Sequence, residues 1–522
     1  MAIMEYKRVW ASLVYRDFSD FDMKLREVRE SIAVKVIEAL FSGNCILAAG
    51  MGAGKTIVSI LISLVWEKPV LFVTPRKYLT KEQHIDAYYK MTGKEVGKGD
   101  IRIITGEIPP ERRIWSDPPR ITFATREVVA QDIKTGRLRI TDFGLVIMDE
   151  IQLMGEDDAF AFIALQAFMN HVRVLALTGT LGRTIKHRKL IEKLLFMHRG
   201  HIVRAPEVDL PPITIQYQKV SATPELLEAE KLLLALREKA LTAFIDLNLP
   251  LPDCKGLTPG KTVSFDKMGK LKQSVREYAT GGTFFRINQW LVSYQRLAYL
   301  RRVILGESYD TFLDSVEETK SKKRSLSARW MGAQTELECV VEIAKTNQNA
   351  HPTIERLIKV TRSYAGAMRK TVIIFAYERR TVQYIAQRLR QEGIAAEYVF
   401  GQKSKRGVPG MTTAEMRTVF NRLASKEINV VVSTTVSEVG IAIPTVDAVF
   451  NFSLPSTADS WLQRMRRAGR VRAGLFIAFF LDLPNIVEKV ARIVKTAKGI
   501  EERLKDSKSN PDPSGQLRFF ME

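Results

Sequence analysis

Short apolar runs alternate with segments of helical spacing over residues 25–200. Each run holds roughly four to eight mostly aliphatic residues and stops at a polar or glycine-containing turn, which is typical of a buried strand. Because these strands are separated by helices and lack polar alternation, they indicate a parallel sheet covered on both faces. The predicted strands are CILAAG, PVLFVTP, IRIIT, RITFAT, FGLVIMDE and VRVLALTGT.

The same pattern returns over residues 352–495, after a break in the middle of the chain. The predicted strands of this second stretch are TVIIFAY, AAEYVFG, INVVVST, AVFNFS and LFIAFFLD. We therefore predict an α/β protein with two parallel-sheet units, at residues 1–204 and 351–495.

Residues 205–350 carry helical spacing instead of short apolar runs. Thr223 and Pro224 are placed to serve as the N-cap and first residue of a long helix. We predict that 205–350 is a helical insertion between the two α/β units. Residues 496–522 become polar with proline and glycine, and we expect a flexible tail.

The charge balance of the 522-residue chain favours a polyanionic partner, because 79 Lys and Arg against 58 Asp and Glu leave a formal charge of +21. Nucleic acid and a membrane surface both fit, and an inert basic surface is the alternative. The cysteines form no CxxC pair, which argues against a disulfide framework and a zinc site. The apolar run Thr56–Trp66 is too short to span a bilayer. We expect an intracellular protein, cytoplasmic or at the nucleoid if the source is prokaryotic or archaeal, with no membrane partner.

The segment AGMGAGKT lies between a predicted strand and a strongly apolar helix. In a phosphate-binding loop, glycines let backbone N–H groups close around phosphate oxygens at a helix N-terminus. The lysine then reaches the β and γ phosphates, and the following hydroxyl holds Mg²⁺. A glycine-rich turn that only caps a helix is the alternative. The residues assigned to the nucleotide are Ala49, Gly52, Ala53, Gly54, Lys55 and Thr56, with Thr56 also a Mg²⁺ ligand.

Two adjacent carboxylates end another predicted strand, in GLVIMDEIQL. Asp149 is placed to hold Mg²⁺, and Glu150 to accept a proton from the attacking water. Adjacent carboxylates on a solvated turn are common, so the pair alone is only moderate evidence for a Mg²⁺ site. The phosphate-loop candidate earlier in the chain strengthens that interpretation. Together they make nucleoside triphosphate hydrolysis the leading hypothesis.

The segment WLQRMRRAGRVR in the second unit carries polar and basic residues near a predicted helix end. Arginines delivered from a neighbouring domain stabilise the charge of phosphoryl transfer and couple hydrolysis to domain closure. A solvated basic helix is the alternative. The candidates are Gln463, Arg466, Arg467 and Arg470.

In their order and spacing, these segments resemble a superfamily 2 helicase, whose members bind ATP between two RecA-like domains. The resemblance runs over about residues 25–480. The segments that carry it are AGMGAGKT, TPRKYL, ITGE, FATRE, MDEIQ, LTGT, IIFAYERR, STTVSEVGIAIP and QRMRRAGR.

Four further strings are similar to the archaeal Hef and eukaryotic FANCM branch: TGEIPPERR, GRLRITDFGLVIMDE, GQKSKRG and VSEVGIAIPTVD. That resemblance implies an ATP- and Mg²⁺-dependent DNA translocase that remodels branched DNA in repair or at replication forks. It implies catalytic roles for Lys55, Glu150, Gln463, Arg467 and Arg470. It also implies nucleic-acid contacts by Arg76, Lys77, Gly106, Thr125, Arg126 and Thr434.

Three positions depart from the family's pattern. Arg29 stands where the family has a glutamine that reads adenine, so ATP preference is open. Gln152 replaces the last histidine of DEAH, and Ala442 replaces an aspartate of the second domain. An RNA helicase and a weakly hydrolysing DNA-binding scaffold are therefore kept as alternatives to the DNA translocase.

The predicted insertion mixes basic and aromatic residues over 261–302. Basic residues can follow phosphates while aromatic rings stack on bases, although the rings can equally form the insertion's own core. The aromatic residues are Phe265, Tyr278, Phe284, Phe285, Trp290, Tyr294 and Tyr299.

The tail segment GQLRFF, Gly515 to Phe520, vaguely resembles a peptide that binds a sliding clamp. Its spacing is compressed relative to the usual pattern, and a tail that packs on its own protein is the alternative.

Overall fold

Two parallel β-sheets and a helical segment form the framework of the computed structural model. The structure describes residues 2–15, 18, 23–50, 53–75, 84–94, 99–155, 158–180, 185–197, 201–205, 212–258, 261, 263–348, 350–402, 404, 407–435, 444, 446–468 and 473–505.

The first sheet has seven strands in the order β3-β4-β2-β5-β6-β1-β7, and every pairing is parallel. The strands predicted for the first unit are confirmed. The seventh strand was missed because it is short and has polar residues at both ends. The strands are β1 (Cys45–Ala48), β2 (Val70–Thr74), β3 (Ile101–Ile104), β4 (Ile121–Thr125), β5 (Leu145–Met148), β6 (Arg173–Thr178) and β7 (His201–Arg204).

Consecutive residues of these strands enter two different hydrophobic cores, which explains why the runs are apolar throughout. Ile46 and Leu71 pack on one face of the sheet, and Leu47 and Phe72 pack on the other. The helices of this unit are α1 (Ala2–Ala11), α2 (Arg26–Ser42), α3 (Lys55–Val65), α4 (His84–Thr92), α5 (Arg126–Lys134), α6 (Ala159–Met169) and α7 (Ile185–Leu194).

The second sheet has six strands in the order β10-β11-β9-β12-β13-β8, again all parallel. The strands predicted for the second unit are confirmed. The strands are β8 (Ile213–Val220), β9 (Val372–Phe375), β10 (Ala396–Val399), β11 (Val430–Ser433), β12 (Ala448–Asn451) and β13 (Gly474–Leu481).

Strand β8 corrects the expected start of the helical insertion at residue 205. It pairs with β13 along its whole length, so residues 213–220 belong to the second sheet. Its polar residues alternate with apolar ones and none of its residues is fully buried, so it lacks the continuous apolar run of the other strands and was missed among the helical segments.

The insertion proper is a bundle of helices with its own hydrophobic core, to which Leu481 and Leu483 of the second unit also contribute. The predicted cap of its first helix is confirmed, since the Thr223 hydroxyl accepts a hydrogen bond from the Leu226 amide at 3.3 Å. The helices are α8 (Pro224–Ile245), α9 (Phe265–Tyr278), α10 (Gly281–Gly306), α11 (Tyr309–Lys320), α12 (Leu326–Gly332) and α13 (Thr335–Thr346).

The last helix corrects the expected start of the tail at residue 496. It continues to Lys505, because Ala497 and Ile500 are buried in the core of the second unit. Residues 506–522, including the clamp-like segment, lie outside the described part of the chain. The helices of the second unit are α14 (Pro352–Thr361), α15 (Arg379–Gln391), α16 (Thr413–Ala424), α17 (Ala458–Met465) and α18 (Pro484–Lys505).

Candidate nucleotide and nucleic-acid sites

The phosphate-loop candidate connects the carboxyl end of β1 to the first residue of α3. Gly54 precedes the helix with φ +88°, a left-handed conformation that favours glycine. The Lys55 Nζ atom donates to the carbonyl oxygens of Ala49 at 2.9 Å and Gly50 at 3.5 Å, so the ammonium is directed into the loop. Ala53 is buried beside them, whereas Gly52 lies outside the described residues.

Arg29 of α2 packs against this loop. A Cβ atom on Gly54 would lie 2.4 Å from Arg29 Nε and 3.0 Å from its Cζ. The side chain is only 3% exposed, so it has little room to move. Arg29, one of the residues that depart from the family's pattern, therefore packs directly against the phosphate loop at Gly54.

The two carboxylates lie where β5 ends. Glu150 has φ +56°, a left-handed conformation that costs about 1–3 kcal/mol for a residue other than glycine. Its amide donates to Asp149 Oδ1 at 2.9 Å, and Asp149 Oδ2 lies 3.4 Å from Nε2 of the buried His84. Sequence reasoning missed His84, which sits at the start of a helix without a recognisable motif.

Gln152 connects Glu150 to the neighbouring strand. Its side-chain amide donates to the Glu150 carboxylate, and its carbonyl oxygen accepts from the Thr178 hydroxyl at 2.7 Å. Thr178 ends β6, in the LTGT segment whose individual roles the sequence did not assign. The glutamine that replaces histidine thus still links the two strand ends.

The charges of this site perturb one another. Burial raises the pKa of Glu150, and the Asp149 carboxylate adds to this effect, while the Lys55 ammonium and the Gln152 amide oppose it. Burial lowers the pKa of Lys55, and both carboxylates oppose that shift. A raised carboxyl pKa suits a group that must accept a proton near neutral pH.

Helix α17 of the second unit, with the residues that follow it, carries the remaining candidates. The Asp459 carboxylate in its first turn adds to the raised pKa of Glu150, after the larger effects of burial and Asp149. Gln463 is half-buried and Arg467 is buried. Arg466 points elsewhere, since its Nη2 donates to Glu501 of α18 at 2.6 Å. Arg470 and Ala442 lie outside the described residues.

The predicted nucleic-acid contacts that the structure describes lie at the carboxyl edges of the two sheets. Gly106 follows β3 and is exposed, Thr125 ends β4, and Thr434 follows β11. Arg126 is held within the protein, since its Nη1 donates to both Asp158 oxygens, at 2.8 and 3.1 Å. Arg76 and Lys77 lie outside the described residues, and all six assignments stay predictions.

The aromatic residues of the insertion divide into two groups. Tyr294 is buried in the bundle, and Trp290 packs edge-on against Trp330 with ring centroids 5.5 Å apart. Tyr278, which ends α9, and Phe285, in the first turns of α10, are 49% and 62% exposed. Most rings that the structure describes are therefore core, and these two are available for stacking.

Within the described residues, no helix combines the length and apolar character needed to cross a membrane.

Two family models match this chain in sequence. Residues 30–187 match the family described as DEAD/DEAH box helicase. Residues 353–472 match the family described as helicase conserved C-terminal domain. The first match covers the phosphate loop and both carboxylates, and the second covers α17.

Two curated relatives and one solved structure are similar over most of the chain. A protein of Methanocaldococcus jannaschii, whose name describes an ATP-dependent RNA helicase, is 25% identical over 82% of this chain and 54% of its own length. The ATP-dependent DNA helicase MPH1 of Coccidioides immitis is 27% identical over 87% of this chain and 43% of its own length. The chain thus spans about half the length of these relatives.

The crystal structure of the Pyrococcus furiosus Hef helicase domain superposes with a TM-score of 0.59 at 21% identity, covering 89% of this chain and 97% of that domain. At this identity the likeness concerns the fold, and it agrees with two RecA-like domains.

Proposed function

The chain belongs to superfamily 2 of the helicases, which are nucleic-acid-dependent ATPases, and from this premise we propose that it is an ATP-driven translocase acting on branched or forked DNA. The observation that supports the proposal is that Lys55, Asp149 and Glu150 lie at the carboxyl ends of β1 and β5, in a chain that also has a helical insertion with exposed aromatic residues. The DNA helicase name of one relative supports the choice of DNA.

The residues of the first unit fit ATP and Mg²⁺. Lys55 directs its ammonium into the loop, and the N-terminus of α3 favours anions there. Thr56 and Asp149 would hold the Mg²⁺ ion, which neutralises charge on the phosphates when it is bound. Asp149 is only 6% exposed and next to Glu150, a costly arrangement that a cation relieves.

Glu150 would accept the proton of the attacking water. Its raised pKa favours proton acceptance near neutral pH, and Gln152 holds one of its oxygens in place. Arg467 and Gln463, together with Arg470, would stabilise the charge that develops on the phosphoryl group. Because these groups come from the second unit, hydrolysis requires the two units to stay closed together.

The nucleic acid would cross the carboxyl edges of both sheets and reach the insertion. Contacts through phosphates suit a motor that moves along any sequence. Tyr278 and Phe285 would stack on bases exposed at a branch point. Arg276, two residues before Tyr278, and Arg286, directly after Phe285, are exposed.

An RNA substrate is the second candidate, because the name of the other relative describes an RNA helicase. The scaffold alternative is weaker, since Lys55, Glu150 and Arg467 are all present and Gln152 is engaged with the catalytic carboxylate. Binding of a sliding clamp by the tail remains a prediction from sequence.

The test measures ATP turnover by the full chain alone and with forked DNA, duplex DNA, single-stranded DNA and RNA, with Lys55→Ala as the inactive control. We expect forked DNA to stimulate turnover most. Stimulation by RNA alone would favour the second candidate, and no stimulation by any DNA would refute the translocase.

The insertion is tested by Phe285→Ala combined with Tyr278→Ala. Losing the stacking on two bases, each worth about 1–3 kcal/mol, should weaken forked-DNA binding by at least about 30-fold. Phe41→Ala is the matched control, since Phe41 is 65% exposed but belongs to the first unit. If the double variant bound forked DNA as tightly as Phe41→Ala, the insertion would not be part of the proposed interface.

A further inference from the structure

A chain of hydrogen bonds between buried residues joins the insertion to α17, which carries Gln463 and is followed by Arg467. It starts at Glu307, which caps the end of α10 and is 1% exposed. The Ser453 hydroxyl donates to Glu307 Oε1 at 2.7 Å, and the Glu378 amide donates to Oε2 at 3.3 Å. A carboxylate of the insertion is thus held at the carboxyl edge of the second sheet, where β12 and β9 end.

The same serine continues the chain toward α17. The Ser453 carbonyl oxygen accepts from Arg464 Nη1 at 2.6 Å, and the same nitrogen donates to Asn451 Oδ1 at 2.6 Å. The Arg464 carbonyl oxygen in turn accepts from the Arg467 amide at 3.0 Å. Arg464 lies between Gln463 and Arg467 in sequence and is completely buried. Its side chain therefore holds in place the segment that carries both residues.

The aromatic surroundings restrict this anchor further. The Arg464 guanidinium lies 5.1 Å from the ring centroids of both Phe375, which ends β9, and Tyr377, two residues later. The Tyr377 amide donates to the Ser453 hydroxyl at 3.1 Å, so that hydroxyl is engaged on both sides. A displacement of Ser453 would be passed directly to Arg464.

A second group of polar contacts, near the one between Glu307 and Ser453, also joins the insertion to the second unit. Arg302 Nη2 donates to Glu378 Oε1 at 2.9 Å, and the Tyr299 hydroxyl donates to the same oxygen at 3.2 Å. Farther along, the Thr311 and Thr381 hydroxyls lie 2.8 Å apart. The end of α10 is therefore fixed to the second unit by polar contacts whose geometry is directional.

We propose that Glu307 is a positioning residue for ATP hydrolysis, which acts through Ser453 and Arg464 on Gln463 and Arg467. The inference rests on the hydrolytic role proposed above for α17, and it makes the insertion a part of the hydrolytic apparatus. Nucleic acid that moves the insertion then changes the placement of the arginines, with no contact of its own to the nucleotide.

Steady-state ATP turnover by the full chain tests the relay, with and without forked DNA. Glu307→Ala and Ser453→Ala should each lower kcat by about 10-fold, because misplacing a group that acts in the transition state raises the barrier. The KM for ATP should change by less than about twofold, since ground-state binding belongs to the first unit. The double variant should be no worse than either single variant, as expected of one chain of contacts.

Two further variants separate positioning from stability. Glu307→Gln keeps an oxygen that can accept from Ser453, so it should retain most of kcat, and it serves as the test if Glu307→Ala does not fold. Ser293→Ala removes a buried hydroxyl that donates to Ser327 at 2.8 Å inside the insertion, and should keep wild-type kcat.

Wild-type kcat in both Ser453→Ala and Glu307→Ala would overturn the relay. The relay would also be overturned if Ser293→Ala lost kcat and thermal stability to the same extent as Glu307→Ala and Ser453→Ala. That result would mean that the variants damage the helical bundle in general. If no nucleic acid stimulated the wild-type enzyme, the proposed translocase would be refuted. The relay would still be tested by comparing the basal kcat of the variants with that of the wild type.

Discussion

Replacing Gly54 with alanine tests whether Arg29 determines the shape of the phosphate loop. Gly54 has φ +88°, and its missing Cβ would overlap the Arg29 side chain, with Nε at 2.4 Å and Cδ at 3.1 Å. The variant must therefore strain the backbone and also displace a buried guanidinium.

The magnitude follows from these two effects. An alanine in the left-handed region costs about 1–2 kcal/mol. Overpacking a buried site costs about 1–3 kcal/mol more, because Arg29 has little space into which it can move. The sum, about 2–5 kcal/mol, should speed local opening of the loop and the start of α3 by at least about 30-fold, since 1.4 kcal/mol is about tenfold.

Amide hydrogen exchange of peptides from β1 and α3 measures that opening directly. The variant is compared in the wild-type and Arg29→Ala backgrounds, where removal of the guanidinium should leave only the backbone cost. Gly50→Ala is the matched control within the loop, because its Cβ would meet nothing within 4 Å and its φ is not left-handed.

Two results would refute this reasoning. One is equal exchange in Gly54→Ala and Gly50→Ala, which would mean that neither strain nor overlap matters. The other is an unchanged cost of Gly54→Ala when Arg29 is alanine, which would assign the whole effect to the backbone.

Lys55→Ala should lower ATP turnover by at least about 100-fold in a steady-state assay, because the ammonium that stabilises phosphate charge is lost; exposed Lys68→Ala should not. Arg467→Ala should lower kcat with little change in KM, whereas Arg466→Ala, whose guanidinium binds Glu501, should retain kcat; equal losses would contradict the assignment. Burial raises the pKa of Glu307 to about 7. Unfolded glutamate titrates near about 4.3, so the unfolded chain ionises first as pH rises. Wild-type stability relative to Glu307→Gln should therefore fall by about 3 kcal/mol from about pH 4 to pH 8, and a flat difference in melting temperature over that range would contradict it.

The predictions from sequence held best where the local pattern alone decides the structure. A buried parallel strand needs an uninterrupted apolar run, so β1 to β6 and β9 to β13 could be recognised one by one. The N-cap at Thr223 depends only on residues of the same helical turn, so it could also be predicted from the sequence. Strand β8 and the last turns of α18 escaped because an edge strand and an amphipathic helix end depend on distant partners, β13 and the core around Ala497.

The sequence by itself determined the chemistry available to this protein: a loop that can hold phosphates, two carboxylates after a strand, and arginines on a later helix. These signals are local, because each relies on a few residues at fixed spacing. Only the tertiary structure decided which groups meet. It placed Arg29 against Gly54, Gln152 between Glu150 and Thr178, and Glu307 on Ser453, since hydrogen bonds and steric contacts between residues distant in sequence exist only after packing.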